Sequence, residues 1–300
     1  MGGYKNGEIE GWKYANLKCL DVFQINSNIK GNRVKKNVCS LIIFCAVYAF
    51  ITSVQAAGFL PKANGKEFGL KYGETIAQEF VKAPKIDGNL DDWQGAVWIA
   101  FDTEKELLRG KETWGGKDDI SMTWSVAYDN DNFYFATAVR DDIFSPGPDD
   151  GNVWKGDCIF LYIDWENKKT GAPDCKPNLS FMNKKAKVLN FGKHPEVTKS
   201  KIAVEPNADL GKGGMIYEVA MPFKYITTVK VAKGLEVGMT PGYEEGFNNK
   251  QEEGVFLDWG GINPDKSELL GRMKFGGPIV PSSVEASNKL TTFWGVVKGE

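Results

Sequence analysis

Histidine is almost absent from this chain, because His194 is the only one among 300 residues. Zinc sites that rely on several histidines are therefore excluded. A serine–histidine–aspartate triad would have to use His194, and the G-x-S-x-G motif that often carries its nucleophile does not occur. His194 stands in Gly192-Lys193-His194-Pro195, which predicts a surface turn. We interpret this histidine as a bystander.

Long apolar runs are also lacking. A membrane-spanning helix needs about 20 apolar residues, and the longest run here, Val38–Ile51, has 14. Val34-Lys35-Lys36-Asn37 forms a basic segment before it, and Val54-Gln55-Ala56 has the small-residue pattern of a cleavage site. The pattern predicts a secretory signal over residues 34–56, cleaved after Ala56, and a secreted, periplasmic or cell-surface protein. The alternative is an uncleaved anchor. Residues 1–33 would be a leader, or would precede a true start at Val34.

Cysteine becomes scarce once this signal is set aside, since only Cys158 and Cys175 follow it. In an oxidising compartment these two could form a disulfide. The alternative is that Cys158 is a small core residue within a strand.

The chain has no excess of positive charge. Its formal net charge is −2, and the first 56 residues hold seven Lys or Arg against three Asp or Glu. Without them the net charge is −6 (−2 minus the surplus of 4). This argues against nucleic acid as a partner.

Strand patterns dominate the remaining sequence. Three segments alternate with the two-residue period of half-buried strands: 120–128, 132–139 and 157–164. Asp129 to Asn132 predicts a hairpin turn between the first two. We further predict one strand over 178–191 and a solvated excursion over 102–119. The pattern favours an all-β fold, an antiparallel β-sandwich of jelly-roll type, immunoglobulin-like in size and with few short helices.

The predicted organisation has a linker over residues 57–74, the sandwich over 75–276 and a tail over 277–300. Residues 140–156 hold two Pro, three Gly and four Asp. This connection is too long for a tight turn and predicts a surface loop, the usual place for binding residues.

The run 83–93 has the sequence APKIDGNLDDW. It resembles the "IDG-x-hydrophobic-D-x-x-W" opening of family 9 carbohydrate-binding modules, whose β-sandwich is DOMON-like. The matching pieces keep their order along the chain: Tyr128 to Phe135, Val139 to Asp142, Trp154 to Asp164, and Tyr217 to Phe223. The resemblance covers residues 76–275 and implies a sandwich that binds sugars.

The resemblance also implies site residues. Trp154 matches a Trp that stacks on the sugar in the family, and the alternative is a core Trp that anchors its loop. Asp157 and Arg140 stand in the same motif pieces and complete our predicted ligand set with Trp259. Trp259 matches a strand Trp that looks structural in the family.

The sequence departs from the family at three points. Phe160 stands where the family has a Glu that bonds the ligand. No basic residue is evident around 179–183, and no second aromatic follows Trp259. The sequence thus predicts the fold of the family but lacks parts of the family's known sugar site.

Acidic residues suggest calcium as a cofactor. Asp141 and Asp142, with Asp149, Asp150 and Asp157, cluster around one loop, and calcium takes six to eight oxygen ligands. The alternative is a hydrated acidic loop that aids solubility.

The leading functional prediction is a secreted, non-catalytic module for poly- or oligosaccharides, accessory to the degradation of xylan- or cellulose-type polysaccharides. One alternative is a structural or protein-interaction sandwich that has lost the sugar site. Another is a chain associated with glycoside hydrolysis, which would need paired carboxylates that sequence alone cannot identify. The only predicted membrane contact is through residues 34–56, in the case that this segment is an uncleaved anchor.

Overall fold

The structure, a computed structural model, describes residues 58–246, 253–259 and 264–279. The predicted leader, the signal or anchor and nearly all of the predicted tail lie outside the described residues. Within them, no helix is long and apolar enough to cross a bilayer.

Thirteen strands make up most of the regular secondary structure of the described residues. They are β1 (Glu74–Glu79), β2 (Ile99–Phe101), β3 (Leu107–Arg109), β4 (Ile120–Tyr128), β5 (Asn132–Asp141), β6 (Cys158–Asp164), β7 (Pro177–Met182), β8 (Lys185–Asn190), β9 (Lys201–Pro206), β10 (Met215–Pro222), β11 (Glu236–Gly246), β12 (Glu253–Leu257) and β13 (Arg272–Pro278). One α-helical turn, α1 (Phe223–Ile226), follows β10. Short 3-10 helices cover Gly65–Phe68, Leu90–Trp93, Glu104–Glu106, Asp150–Lys155, Pro195–Lys199, Ala208–Leu210 and Ser267–Leu269.

The strands form one continuous hydrogen-bonded sheet in the order β8-β7-β6-β11-β13-β1-β4-β5-β10-β9. β2 adds to β4, and β12 bridges β11 and β3. The sheet folds over so that its β6–β11 half packs against its β4–β5–β10 half. The all-β sandwich with few short helices is therefore confirmed. Its thirteen strands exceed the seven to nine, in about 100 residues, of an immunoglobulin domain.

The sandwich was predicted to be antiparallel, but two strand pairs between its halves are parallel. β1 runs parallel to both β13 and β4. Period-two patterning identifies which face of a strand is buried, but it carries no information on the direction of the neighbouring strand. The parallel pairs were therefore outside what the sequence could predict.

The central core lies between the two halves and is rich in aromatic side chains. The Phe133 ring on β5 and the Trp165 ring after β6 meet edge to face at 5.8 Å. Trp124 and Trp259 meet in the same way at 5.1 Å, and both are at most 2% exposed. Edge-to-face pairs of this kind add stability beyond the area that they bury.

A second apolar cluster covers the outer face of β4, β5 and β10 and explains the run at 83–93. Glu218 on β10 is fully buried, and its carboxylate accepts hydrogen bonds from the backbone N–H groups of Asp87 and Gly88 at 2.9 and 3.1 Å. The indole N–H of Trp93 donates to the same carboxylate at 2.9 Å. Two motif pieces about 130 residues apart thus meet at one buried acid.

The two cysteines do not form a disulfide. Both are buried free thiols. Cys158 pairs with Ser180 across β6 and β7, whereas Cys175 pairs with Ile163. Five residues of β6 therefore separate the two positions, which is roughly 16 Å and far beyond the reach of a disulfide.

Residues 58–73, most of the predicted linker, contact the sandwich. The Asn64 side chain donates to the Ala96 carbonyl at 2.9 Å and accepts from the Trp98 backbone N–H at 2.7 Å. The Phe59 ring lies 6.2 Å from the Trp98 ring. Three separate contacts therefore fix this segment.

Candidate functional site

The loop between β5 and β6 presents Trp154 at the surface. Asp149 caps the short helix Asp150–Lys155 by accepting from the backbone N–H groups of Gly151 and Asn152, at 2.8 and 3.0 Å. This cap fixes the first turn, and a kink at Asn152 separates it from the turn that carries Trp154. The indole itself is half-buried.

Asp157 ties this loop to the end of β11. It is fully buried, and its carboxylate accepts from the backbone N–H of Ser145 and, at 2.8 Å, from that of Gly246. Burial and the nearby Asp141 carboxylate raise the pKa of Asp157 well above its usual range. Asp157 was predicted as a ligand residue, but the structure places it beneath the loop with no surface for a ligand.

A groove with a volume of about 350 Å³ opens beside Trp154 on the outer face of β6, β11 and β12. Aromatic and apolar side chains, one arginine and two ion-paired acids line it: Leu108, Arg109, Trp154, Phe160, Tyr162, Glu244, Phe256, Pro264 and Asp265. Ligand sites are typically apolar clefts with a few placed polar groups. Phe191, 37% exposed, extends the aromatic wall with its ring 6.3 Å from Trp154.

Strand register brings the polar part of this groove together. Cys158, Glu244, Phe256 and Arg109 are direct cross-strand neighbours on β6, β11, β12 and β3. Directly opposed residues point to the same face of a sheet. Side chains from four separate segments therefore form one row.

Gly242 makes room for the aromatic floor. A Cβ atom at this position would lie 2.4 Å from Cζ of Phe256. The Phe256 ring thus crosses β11 where that strand has no side chain.

Two ion pairs supply the charges of the groove. Arg109 pairs with Glu244, whose side chain is 1% exposed, and its guanidinium lies 5.3 Å from the centre of the Phe256 ring. Lys176 pairs with Asp265 and lies 5.6 Å from the Tyr162 ring. The planar guanidinium is held between a carboxylate and a ring, so its direction is fixed.

Sequence reasoning missed Arg109, Glu244 and Phe256. Residues 102–119 were predicted as a solvated excursion, but β3 lies within them and pairs with β12. A strand of three residues is too short to show periodicity. Phe160, which stands at the family's Glu position, forms part of the floor and is 7% exposed.

The other predicted ligand residues lie away from this groove. Trp259 is 2% exposed and packs in the central core. Arg140 is half-buried at the end of β5, and its guanidinium donates to the Asp209 carbonyl at 3.4 Å. Neither lines the groove beside Trp154.

The two predicted metal ligands have different surroundings. Asp141 is buried, and its two oxygens accept from the Tyr243 hydroxyl at 2.7 Å and the Ile143 backbone N–H at 2.8 Å. Asp142 is exposed and, with Asp119 and Glu245, forms a group whose carboxylate oxygens lie within 4.8 Å of one another. A calcium site would thus use Asp142 but replace Asp141 with partners from β11 and the loop before β4.

Burial and repulsion perturb these acids. Burial raises the pKa of Asp141 to about 6. Burial, followed by the charges of Asp141 and Asp119, raises the pKa of Glu245 to about 7. Both carboxyl groups therefore keep their protons to a higher pH in the folded state than in the unfolded chain.

Three kinds of similarity bear on this molecule. A family model described as "Carbohydrate family 9 binding domain-like" matches residues 86–274. Endo-1,4-beta-xylanase A of Thermotoga neapolitana and that of Thermotoga maritima are each 26% identical over 221 residues. The match covers 72% of this chain but only 19% of either xylanase.

Two solved structures share the fold. Both are of a family 9 carbohydrate-binding module from Caldicellulosiruptor kristjanssonii, one in complex with cellotriose and one with glucose. Each superposes with a TM-score of 0.52, at 12% and 13% identity respectively. The matches cover 70% and 68% of this chain and 96% of each module.

The family match extends over more than half of the chain, and the two motif pieces that meet at Glu218 both lie inside it. The chain belongs to the carbohydrate family 9 binding domain-like family.

Proposed function

We propose that this protein binds a saccharide in the groove beside Trp154 and does so without breaking a bond. One observation carries the proposal: the groove combines four aromatic side chains with a guanidinium held in a fixed direction. A pyranose ring has an apolar C–H face and a rim of hydroxyls. A half-buried indole suits the first and planar N–H donors suit the second.

The polar groups of this groove lie on segments other than the positions expected from the family: Arg109 is on β3, and Asp265 is in the connection between β12 and β13. Phe160 has no hydrogen-bonding atom in its side chain, so it adds only apolar floor. Arg109 offers N–H donors and Asp265 offers carboxylate oxygens at the same groove. These two side chains support hydroxyl recognition in place of the family's Glu and basic residue.

The ion pairs of the two carboxylates support the proposal of binding without hydrolysis. Glycoside hydrolysis uses two carboxyl groups that flank the scissile bond. In this groove Glu244 pairs with Arg109 and Asp265 pairs with Lys176. Both acids are engaged with cations, an arrangement that favours recognition over catalysis.

The ligand class and setting extend the proposal. The solved relatives hold cellotriose and glucose, and the sequence relatives are xylanases. We therefore propose a β-linked glucan or xylan as the ligand, and a secreted or surface-exposed protein that is accessory to polysaccharide degradation.

A titration with defined sugars tests the proposal. Calorimetry with cellotriose and with a xylan oligosaccharide should show saturable binding, and Trp154→Ala should weaken it at least about 30-fold, or about 2 kcal/mol. Trp114→Phe is the matched control, because Trp114 is a half-buried Trp outside the groove. It should bind as the unmodified protein does.

A different result would favour the structural or protein-interaction sandwich. In that case a broad glycan array would show no binder, although the protein was folded. Release of reducing ends from a polysaccharide by the purified protein would instead identify an enzyme.

A further inference from the structure

A second groove, larger than the first, lies between the segment before β1 and the start of β2. Its volume is about 520 Å³. Leu70, Trp98 and Ile99 supply apolar lining, and Tyr72, Lys66 and Glu106 supply polar atoms. Trp259, a member of the predicted ligand set, also lines this groove, whereas most of the other lining residues lie in or near the predicted linker over residues 57–74.

Tyr72 stands at the rim of this groove as an exposed aromatic ring. Its side chain is 57% exposed, and its hydroxyl donates to the Lys105 carbonyl at 3.3 Å. That bond anchors the end of the ring and leaves most of the ring in solvent. An anchored, exposed aromatic ring is a preformed surface for stacking.

The wall of the groove is also fixed before any ligand arrives. The backbone N–H groups of Asn64 and Gly65 both donate to the Trp98 carbonyl, at 3.0 and 3.2 Å. A Cβ atom on Gly65 would lie 2.7 Å from Cδ1 of Ile99, so glycine allows this close approach. A groove with a fixed wall loses little conformational entropy on binding.

The charges of the lining select the chemistry of the occupant. Lys66 and Lys71 contribute two positive charges. Four acids contribute negative charges: Glu67, Glu74, Asp102 and Glu106. The sum is −2, which disfavours phosphate, uronate or nucleic acid as the occupant. A neutral polyhydroxyl ligand with an apolar face suits the lining.

The two grooves share a structural wall. β3 and β12 are paired, with Arg109 opposite Phe256 at the first groove. Two residues beyond Phe256, the Asp258 N–H donates to the Glu106 carbonyl at 2.7 Å, and Glu106 lines the second groove. The positions from Glu106 to Arg109 span roughly 10 Å of extended chain. One polysaccharide strand could therefore meet both.

We propose that the second groove is a subsite for a neutral sugar residue, with Tyr72 as its stacking platform. The module then holds one polysaccharide chain at two points. This inference depends on the function proposed for the groove beside Trp154. Linking two weak contacts on one ligand raises the overall affinity for long ligands only.

Calorimetry with cellotriose and cellohexaose on the full chain tests the inference. The unmodified protein should bind cellohexaose about tenfold more tightly than cellotriose. Tyr72→Ala should remove this advantage and leave the cellotriose affinity unchanged. Tyr72→Phe keeps the ring and loses only the anchoring hydroxyl, so it should retain most of the advantage. Trp154→Ala should weaken the binding of both sugars.

The outcomes separate the two proposals. If cellotriose binds and Tyr72→Ala binds both sugars as the unmodified protein does, the second groove is not a subsite and the first site stands. If Tyr72→Ala weakens cellotriose equally, Tyr72 acts by supporting β3 through Lys105, and the subsite is again rejected. If the unmodified protein binds neither sugar, both proposals fail.

Discussion

At the scale of single residues, the groove beside Trp154 depends on side chains whose roles are set by their neighbours across the sheet. Gly242 stands outside the motif pieces of the sequence, and Arg109 lies in a segment with mixed charges. Their importance appears only in the cross-strand row that contains Glu244 and Phe256.

Gly242→Ala should reduce sugar affinity about tenfold or more while the protein stays folded. The added Cβ would lie 2.4 Å from the Phe256 ring, which must move into the groove. We expect a loss of stability of about 1–3 kcal/mol from this overpacking. Gly277→Ala is the control, because its Cβ would be 3.7 Å from the nearest atom, Nζ of Lys233. Unchanged sugar affinity in Gly242→Ala would remove Phe256 from the site.

Arg109→Lys should weaken sugar binding about three- to tenfold with little change in melting temperature. Lysine preserves the charge opposite Glu244 but lacks the planar set of N–H donors that suits neighbouring hydroxyls. Calorimetry measures the affinity, and thermal unfolding checks stability. Equal affinities for arginine and lysine would mean that Arg109 acts only as a counter-ion.

At the scale of secondary-structure elements, local turn chemistry shapes the β7–β8 hairpin, whereas a long-range contact with Glu218 holds the 83–93 run. The strand predicted over residues 178–191 is a hairpin of β7 and β8. Asn183 and Lys184 make its turn, with φ values of 51° and 60°. Positive φ at both central residues is the geometry of a type I′ turn, for which Asn-Gly is preferred. Asn183 is typical of this turn and is visible in the sequence. Lys184 is not typical of it, so the sequence did not predict the turn.

Lys184→Gly should therefore stabilise the protein, by about 0.5–1 kcal/mol. Glycine adopts positive φ without the steric cost that lysine bears. Chemical denaturation measures the change as a higher midpoint with an unchanged slope. Lys185→Gly is the control, because Lys185 begins β8 and glycine within a strand is destabilising. A lower midpoint for Lys184→Gly would contradict the turn assignment.

Glu218→Ala should destabilise the protein by about 3 kcal/mol or more. The substitution leaves the N–H groups of Asp87, Gly88 and Trp93 without their shared acceptor, and unsatisfied buried donors are costly. Glu218→Gln retains one carbonyl acceptor and should lose less. Denaturation curves measure both variants. A loss below 1 kcal/mol for the alanine variant would show that the 83–93 run is held by apolar packing alone.

At the scale of the whole molecule, the acids near β11 link stability to pH. The pKa values of Asp141 and Glu245 are raised to about 6 and about 7, so the folded state binds more protons than the unfolded chain above pH 4. Stability must then fall as the pH rises from about 4 through 7. We expect a net effect of about 1–2 kcal/mol after solvent screening. This corresponds to several degrees in melting temperature between pH 5 and pH 8.

Glu245→Gln should reduce this slope, because the amide does not ionise. Glu112→Gln, at an exposed position, is the control and should preserve it. Melting temperatures in a pH series measure both. An identical slope in Glu245→Gln would assign the pH dependence to other groups.

Calcium should stabilise the folded protein through the group of three acids near β11. A divalent cation among Asp119, Asp142 and Glu245 would offset the repulsion between their charges. We expect added calcium to raise the melting temperature more at pH 8 than at pH 5, and Asp142→Asn to abolish the effect. Magnesium is the control ion. No response to calcium at either pH would leave the hydrated acidic loop as the interpretation.

The sequence by itself determined the all-β class and the bounds of β4, predicted as 120–128 and found at Ile120–Tyr128. It also identified the motif pieces that place this chain in its family, because alternation and turn chemistry are local properties of the chain. Trp154 was named for the same reason, since it stands within a recognisable motif.

Only the tertiary structure decided which of the remaining side chains share the groove. Arg109 and Glu244 are 135 positions apart and meet because β3 and β11 both pair with β12. Packing of the sheet also buries Trp259 in the core and makes Asp157 an anchor for the Trp154 loop. A strand's period fixes which face is buried, but its partner is chosen by the packing of the whole sheet, so contacts between distant segments have no local signature.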